Sequence, residues 1–171
     1  MELHENWDVV KALFRDSFRS SFHYAIATVG KDGQPHVTPI GSLILGEPGC
    51  GFYFERFTQR MPRNLGADGR VCVLAVNSSR WYWLKALFQG RFASPPAVRL
   101  YGVAGQLRPA DRREKALWLR RVRRVRFSRG YASMWADMDR VREIRFDRIE
   151  PVHIGAMTRG LWPAQAVPDD A

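Results

Sequence analysis

Four residues within seven positions, Thr58, Arg60, Arg63 and Asn64, form the group in this chain best suited to chemistry. Two guanidinium groups offer planar, paired donation to a phosphate, and threonine and asparagine add neutral donors beside them. They stand in the turn RFTQRMPRNL, where the free backbone N–H groups of a helical start would add to the same field. In an arginine-rich chain such a turn is ordinarily a solvated surface. Its place between an aromatic strand, GFYFE, and an apolar one, RVCVLAVN, argues for a site instead.

No second constellation competes with it. Cys50 and Cys72 lack metal-site spacing and read as reduced thiols, and His4, His23, His36 and His153 are scattered. No serine, cysteine or histidine has the neighbours a nucleophile needs. Asp137, Asp139, Glu143 and Asp147 read as members of surface ion pairs. Any redox chemistry would therefore come from a bound cofactor, which the protein orients.

The elements that must position the turn are legible from periodicity. Trp7, Val10, Leu13, Phe14 and Phe18 share one side of a helix over residues 6–20, with Asn6 as its N-cap. FHYAIATV alternates as a strand, and Asp32-Gly33 supplies the positive φ angles of a hairpin turn. The returning strand PHVTPIGSLIL places His36, Thr38, Ile40 and Ser42 on one face and Val37 and Pro39 on the other. Pro39 cannot donate to a ladder, so that strand has an edge or an irregularity there. RWYWLKALFQ fits either a helix or an aromatic loop, and Gly102 and Gly105 mark a bulge or close approach in the strand from Ala97 to Leu107. Pro109 opens a basic helix over residues 109–129, with Trp118, Leu119, Val122 and Val125 inward and Arg120, Arg123 and Arg124 outward. A short helix over Tyr131–Arg140, a closing segment from Ile144 to Ile154 and a flexible tail over 163–171 complete the chain.

At 171 residues this is one domain, spanning 1–162, able to bury a core without disulfides or metal. Six strands joined mostly by hairpins predict a mainly β protein, a small antiparallel barrel with peripheral helices.

The stretch DGQPHVTPIG, GFYFE, RMPRNL, RVCVLAV, followed by VRLYGVAGQL and IRFDRIEPVHIGAM, resembles the FMN-binding split-barrel family that includes pyridoxamine 5'-phosphate oxidase. The resemblance implies a six-stranded antiparallel split β-barrel and a homodimer with FMN at the subunit interface. It implies flavin chemistry, hydride or electron transfer, on a small-molecule substrate. By the same likeness His36, Val37 and Thr38 line the flavin, Phe54 and Glu55 end the neighbouring strand beside it, and Arg60 and Arg63 hold the phosphate, with Thr58 and Asn64. Met61 stands where many relatives carry lysine, leaving Arg63 as the substitute. A glutamine common near Leu100 is absent. The ending GAMTRGLWPAQAVPDDA lacks the tryptophan- and arginine-rich signature of pyridoxamine phosphate oxidases proper, so the likeness is to the family and not to that enzyme.

Two other readings stay open: the same barrel holding haem or another flavin-like ligand without catalysis, and a basic nucleic-acid binder. The net charge of +10 is local, since residues 111–129 carry nine basic and two acidic side chains. A nucleic-acid partner is nonetheless not expected, because Trp118 sits on the apolar stripe of that helix, where it packs rather than stacks on a base. No apolar run reaches the roughly 20 residues of a membrane helix, and the start MELHENWDVV has no apolar signal core. The expectation is a cytoplasmic protein without a membrane partner.

Overall fold

A computed structural model describes residues 2–123, 126–128, 130–131, 135 and 138–162. The elements are α1 (Trp7–Ser21), β1 (Tyr24–Val29), β2 (Pro35–Ile40), β3 (Ile44–Leu45), β4 (Cys50–Phe54), α2 (Arg60–Ala67), β5 (Arg70–Val76), α3 (Arg80–Gln89), β6 (Ala97–Pro109), α4 (Arg112–Val122) and β7 (Arg140–Pro151). A short 3-10 turn, Gly155–Thr158, follows. The strands form one antiparallel sheet in the order β2-β1-β5-β6-β7-β4-β3. It has seven strands where six are expected, because the chain leaves the sheet after Ile40 and re-enters it as the two-residue β3.

Alternation decides which face is inward. Tyr24, Ile26 and Thr28 of β1 pair with Ile40, Thr38 and His36 of β2, so all six share the interior face. Ala25 and Ala27, with Pro39 and Val37 opposite them, form the outer face. Pro39 is tolerated because β2 is an edge strand. The β1–β2 turn differs from the sequence expectation in one respect: Gly33 has φ +76°, but Asp32 does not enter the left-handed region. The Gly33 N–H closes on the Gly30 carbonyl at 2.9 Å, so one glycine suffices.

Beyond β2, the Ser42 hydroxyl donates to the Phe54 carbonyl at 2.9 Å and accepts from the Phe54 N–H at 3.1 Å. This buried hydroxyl ties the chain leaving β2 to the end of β4, drawing the two flanks of the sheet together where no ladder joins them. α1 closes the interior with Trp7, Val10, Leu13 and Phe14. Asn6 precedes it but gives no side-chain cap, its amide donating instead to the Glu2 carbonyl.

The basic helix begins later than Pro109, which is the last residue of β6. Asp111 and Glu114 form a capping box at its start, and Arg108 holds Glu114 by two bonds of 2.9 and 2.6 Å. Trp118 and Val122 are buried as expected, whereas Leu119 is exposed. Arg124, Val125, Arg129 and most of the helix expected over Tyr131–Arg140 lie outside the described residues, as does the tail over 163–171. The α4 arginines are not all solvent-facing. Arg121 reaches back over the Phe18 ring at 3.7 Å and donates to the Tyr24 hydroxyl and the Leu43 carbonyl. The closing segment is one strand, β7, and the RWYWLKALFQ segment is the helix α3.

Candidate functional site

The turn between β4 and α2 is built from both ends. On the β4 side, Glu55 is clamped: Arg142 of β7 meets its carboxylate at 3.0 and 3.1 Å, with both side chains below a tenth exposed. The Tyr53 hydroxyl donates to the same carboxylate at 2.8 Å. Burial, reinforced by the Glu55 charge, pushes that hydroxyl far above the ordinary phenol range. Arg142 also donates to the Gly105 carbonyl at 2.9 Å, at the β6 irregularity between Ala104 and Leu107. On the α2 side, the Asn64 amide donates to the Thr28 hydroxyl at 3.0 Å, and Met61 is wholly buried in the main core. These contacts seat α2 against the end of β1.

Between the two anchors lie the side chains left available. Arg60 and Arg63 are exposed, and neither takes part in an ion pair among the described residues. α2 has no side-chain cap at its N-terminus, so the N–H groups of its first turn are not met by a cap side chain. The Thr58 hydroxyl is shut off from solvent without a hydrogen-bond partner, and so is that of Thr38 on β2. A buried hydroxyl without a partner costs free energy that folded proteins rarely accept without use; one of the two lies on the turn and the other on β2. His36 is half-buried on the same inner face of β2 as Thr38.

The expected site residues therefore divide. Thr38, Thr58, Arg60 and Arg63 keep groups free for a ligand, and His36 shares the face of Thr38 on β2. Phe54 is buried against Trp118 (5.7 Å between ring centroids). Glu55, Met61 and Asn64 are likewise spent on the ion pair, the core and the Thr28 bond. Their side chains hold the site rather than face it, and Met61 is a packing residue. Val37 is exposed on the outer face of the sheet. Sequence reasoning missed Arg142 and Tyr53. The Arg142–Glu55 contact spans 87 positions, and nothing in local spacing signals it.

A single antiparallel sheet, pinched by Ser42 and carrying α2 at its rim, is a split β-barrel. The family model described as pyridoxamine 5'-phosphate oxidase matches residues 11–153, and the chain belongs to that family. Solved structures agree on the fold. An FMN-binding protein from Syntrophomonas wolfei is 11% identical with a TM-score of 0.56, covering 88% of this chain and 93% of that one. HupZ of group A Streptococcus is 18% identical with a TM-score of 0.55, covering 83% of this chain and 90% of that one. An F420 reductase is 15% identical with a TM-score of 0.51, covering 75% and 88%. At these identities the likeness is one of fold. No curated protein matches the chain.

Proposed function

We propose that this chain is an FMN-binding flavoprotein that carries out hydride or electron transfer with a small molecule. The observation that carries the reading is the enclosed, partnerless hydroxyl of Thr58 next to two unpaired arginines at an uncapped helix start, with a second such hydroxyl, that of Thr38, on β2. A phosphate-bearing cofactor satisfies all of these at once. Arg60 and Arg63 would neutralise the phosphate, the first-turn N–H groups of α2 would add to that field, and Thr58 would donate to it. Thr38 and His36 would line the adjoining groove along β2. When bound, the flavin supplies the redox chemistry. The protein orients it through a rim held rigid by Arg142–Glu55 and Asn64–Thr28.

The proposed assembly is a homodimer with the cofactor between subunits. Its support is the outer face of the sheet, where Val37 and Pro39 stand exposed beside Ala25, Ala27, Cys72 and Leu74. Among the described residues no helix is long and apolar enough to cross a membrane, and a cytoplasmic place for the protein is part of the same proposal.

The decisive test is the absorption spectrum of purified protein after incubation with FMN and desalting. A retained flavin band is expected, and a colourless protein would overturn the reading. A Soret band after haem addition, with no flavin retention, would favour the haem alternative. Arg60→Glu with Arg63→Glu should abolish flavin retention while circular dichroism stays unchanged. Val37→Lys should lower the mass in solution from dimer to monomer by light scattering.

A further inference from the structure

The helix α3, between β5 and β6 in the chain, presents a second surface. Its inner side is firmly seated. Ala86 is buried, Tyr82 stacks on Phe92 at 5.4 Å and donates to the Ser94 carbonyl at 2.5 Å, and Trp83 donates to the Asn77 carbonyl at 2.6 Å. Ser79 caps the N-terminus and Gly90, with φ +65°, ends it. The opposite side is apolar and open. Successive residues turn by about 100°, so Leu87, Leu84, Phe88 and Trp81 span an arc of about 120°. All four are exposed, Trp81 at 80% and Phe88 at 85% of full accessibility. A rigid helix thus holds two large aromatic side chains in water.

Charge identifies what covers them. Residues 69–110 contain six basic side chains and no acidic one. Three of the six are paired elsewhere: Arg70 with Asp68, Arg99 with Glu150, and Arg108 with Glu114. The other three, Arg80, Lys85 and Arg91, belong to α3 or follow it, and none is in an ion pair among the described residues. Asp16, which lines a pocket with Tyr82 on the inner side, is within ion-pair reach of Arg15 and Arg19. A second copy meeting this face through the same surface would bring the three cations together, with no carboxylate in the segment to meet them. An anionic lipid surface meets both needs, taking the apolar arc into its interface and the cations against its head groups.

We infer that α3 docks this protein onto the surface of an anionic bilayer, lying in the interface without crossing it. The expectation of no membrane partner rested on the absence of a spanning segment, which does not bear on a helix of this kind.

Cosedimentation of the full chain with vesicles tests this, using phosphatidylcholine alone and phosphatidylcholine with phosphatidylserine. The protein is expected to pellet with the anionic vesicles, and less so at high salt. Trp81→Ala with Phe88→Ala should weaken binding by at least about tenfold, since each removes a large buried apolar area. Arg80→Glu, Lys85→Glu and Arg91→Glu together should abolish the preference for phosphatidylserine. Both variants should keep the far-ultraviolet circular dichroism of the parent, since the changed side chains face water. The inference is overturned if the parent stays in the supernatant with anionic vesicles. It is equally overturned if the aromatic variant binds as the parent does, which would assign the effect to net charge alone. A fall in solution mass on changing Trp81 and Phe88, without vesicle binding by the parent, would assign the face to a second copy.

Discussion

Arg142 and Glu55 meet through two hydrogen bonds of 3.0 and 3.1 Å inside the protein, one on the last long strand and the other just past β4. The pair fixes the point from which the Thr58–Arg60 turn departs. Because the Tyr53 hydroxyl and the Gly105 carbonyl complete it, neither charge is left short of partners. Such a pair contributes little net stability against an apolar replacement, but breaking it from one side is costly.

Arg142→Met should therefore destabilise the protein by about 3–5 kcal/mol, since it strands the Glu55 charge in the interior. Arg142→Met with Glu55→Leu should recover much of that loss. Urea unfolding of the two variants measures the difference. Equal losses would mean that the geometry, and not the unpaired charge, sets the cost.

Gly102 permits the closest backbone approach in the sheet. A Cβ there would lie 2.1 Å from the Arg145 carbonyl oxygen and 2.8 Å from the Phe146 Cα. Both are main-chain atoms of β7, next to the register shift after Tyr101, and neither can swing aside. Gly102→Ala should cost about 3 kcal/mol or more, beyond ordinary overpacking. Gly66→Ala, which meets nothing within 4 Å, is the matched control and should be neutral or stabilising. Thermal unfolding of both variants provides the check.

Asp68 and Arg70 make a local, solvent-exposed pair in which the hydrogen bonds from Arg70 hold the carboxyl down at about 2, against an ordinary 3.8. The folded value lies below the unfolded one, so the pair's contribution is present above pH 3.8 and is lost as pH falls towards 2. Asp68→Asn should flatten the acid limb of the stability curve in that window, leaving the variant slightly less stable than the parent at neutral pH and level with it towards pH 2. The effect should shrink in high salt, as for any exposed pair. A parent curve already flat between these values would refute the assignment.

What the sequence makes legible is what alternation and turn chemistry encode locally. Tyr24 and Ile26 read as one face of a strand, Gly102 reads as a bulge or close approach, and Arg60 and Arg63 read as a basic rim. Phe22, which the alternation puts on the same face, is instead the exposed left-handed cap of α1. Contacts made by the fold alone do not read. Asn64 has the composition of a ligand donor, yet the folding of α2 onto β1 spends it on Thr28, 36 positions away. Phe54 reads as lining a groove, yet the late insertion of α4 covers it with Trp118. Pro109 suits a helix start, but the long β6–β7 pairing carries the strand through it and leaves Asp111 to cap. In each case tertiary pairing decided between two locally acceptable states.

Thr58 separates a ligand-binding role from a structural one, because the two predict opposite signs. Its hydroxyl is enclosed and partnerless, so Thr58→Val removes an unsatisfied polar group and loses no hydrogen bond within the protein. The ligand-free variant should be as stable as the parent or up to about 1 kcal/mol more so. With FMN the same change removes a donor to a charged phosphate, worth about 1.5–3 kcal/mol, so affinity should fall by roughly tenfold to a hundredfold. Thr58→Ser keeps the hydroxyl and should retain most of the affinity. Thr38→Val extends the comparison to the strand side of the groove. Fluorescence titration with FMN and urea unfolding of the ligand-free protein read the two effects separately. A Thr58→Val variant that loses stability but binds FMN as the parent does would place the hydroxyl outside the cofactor site.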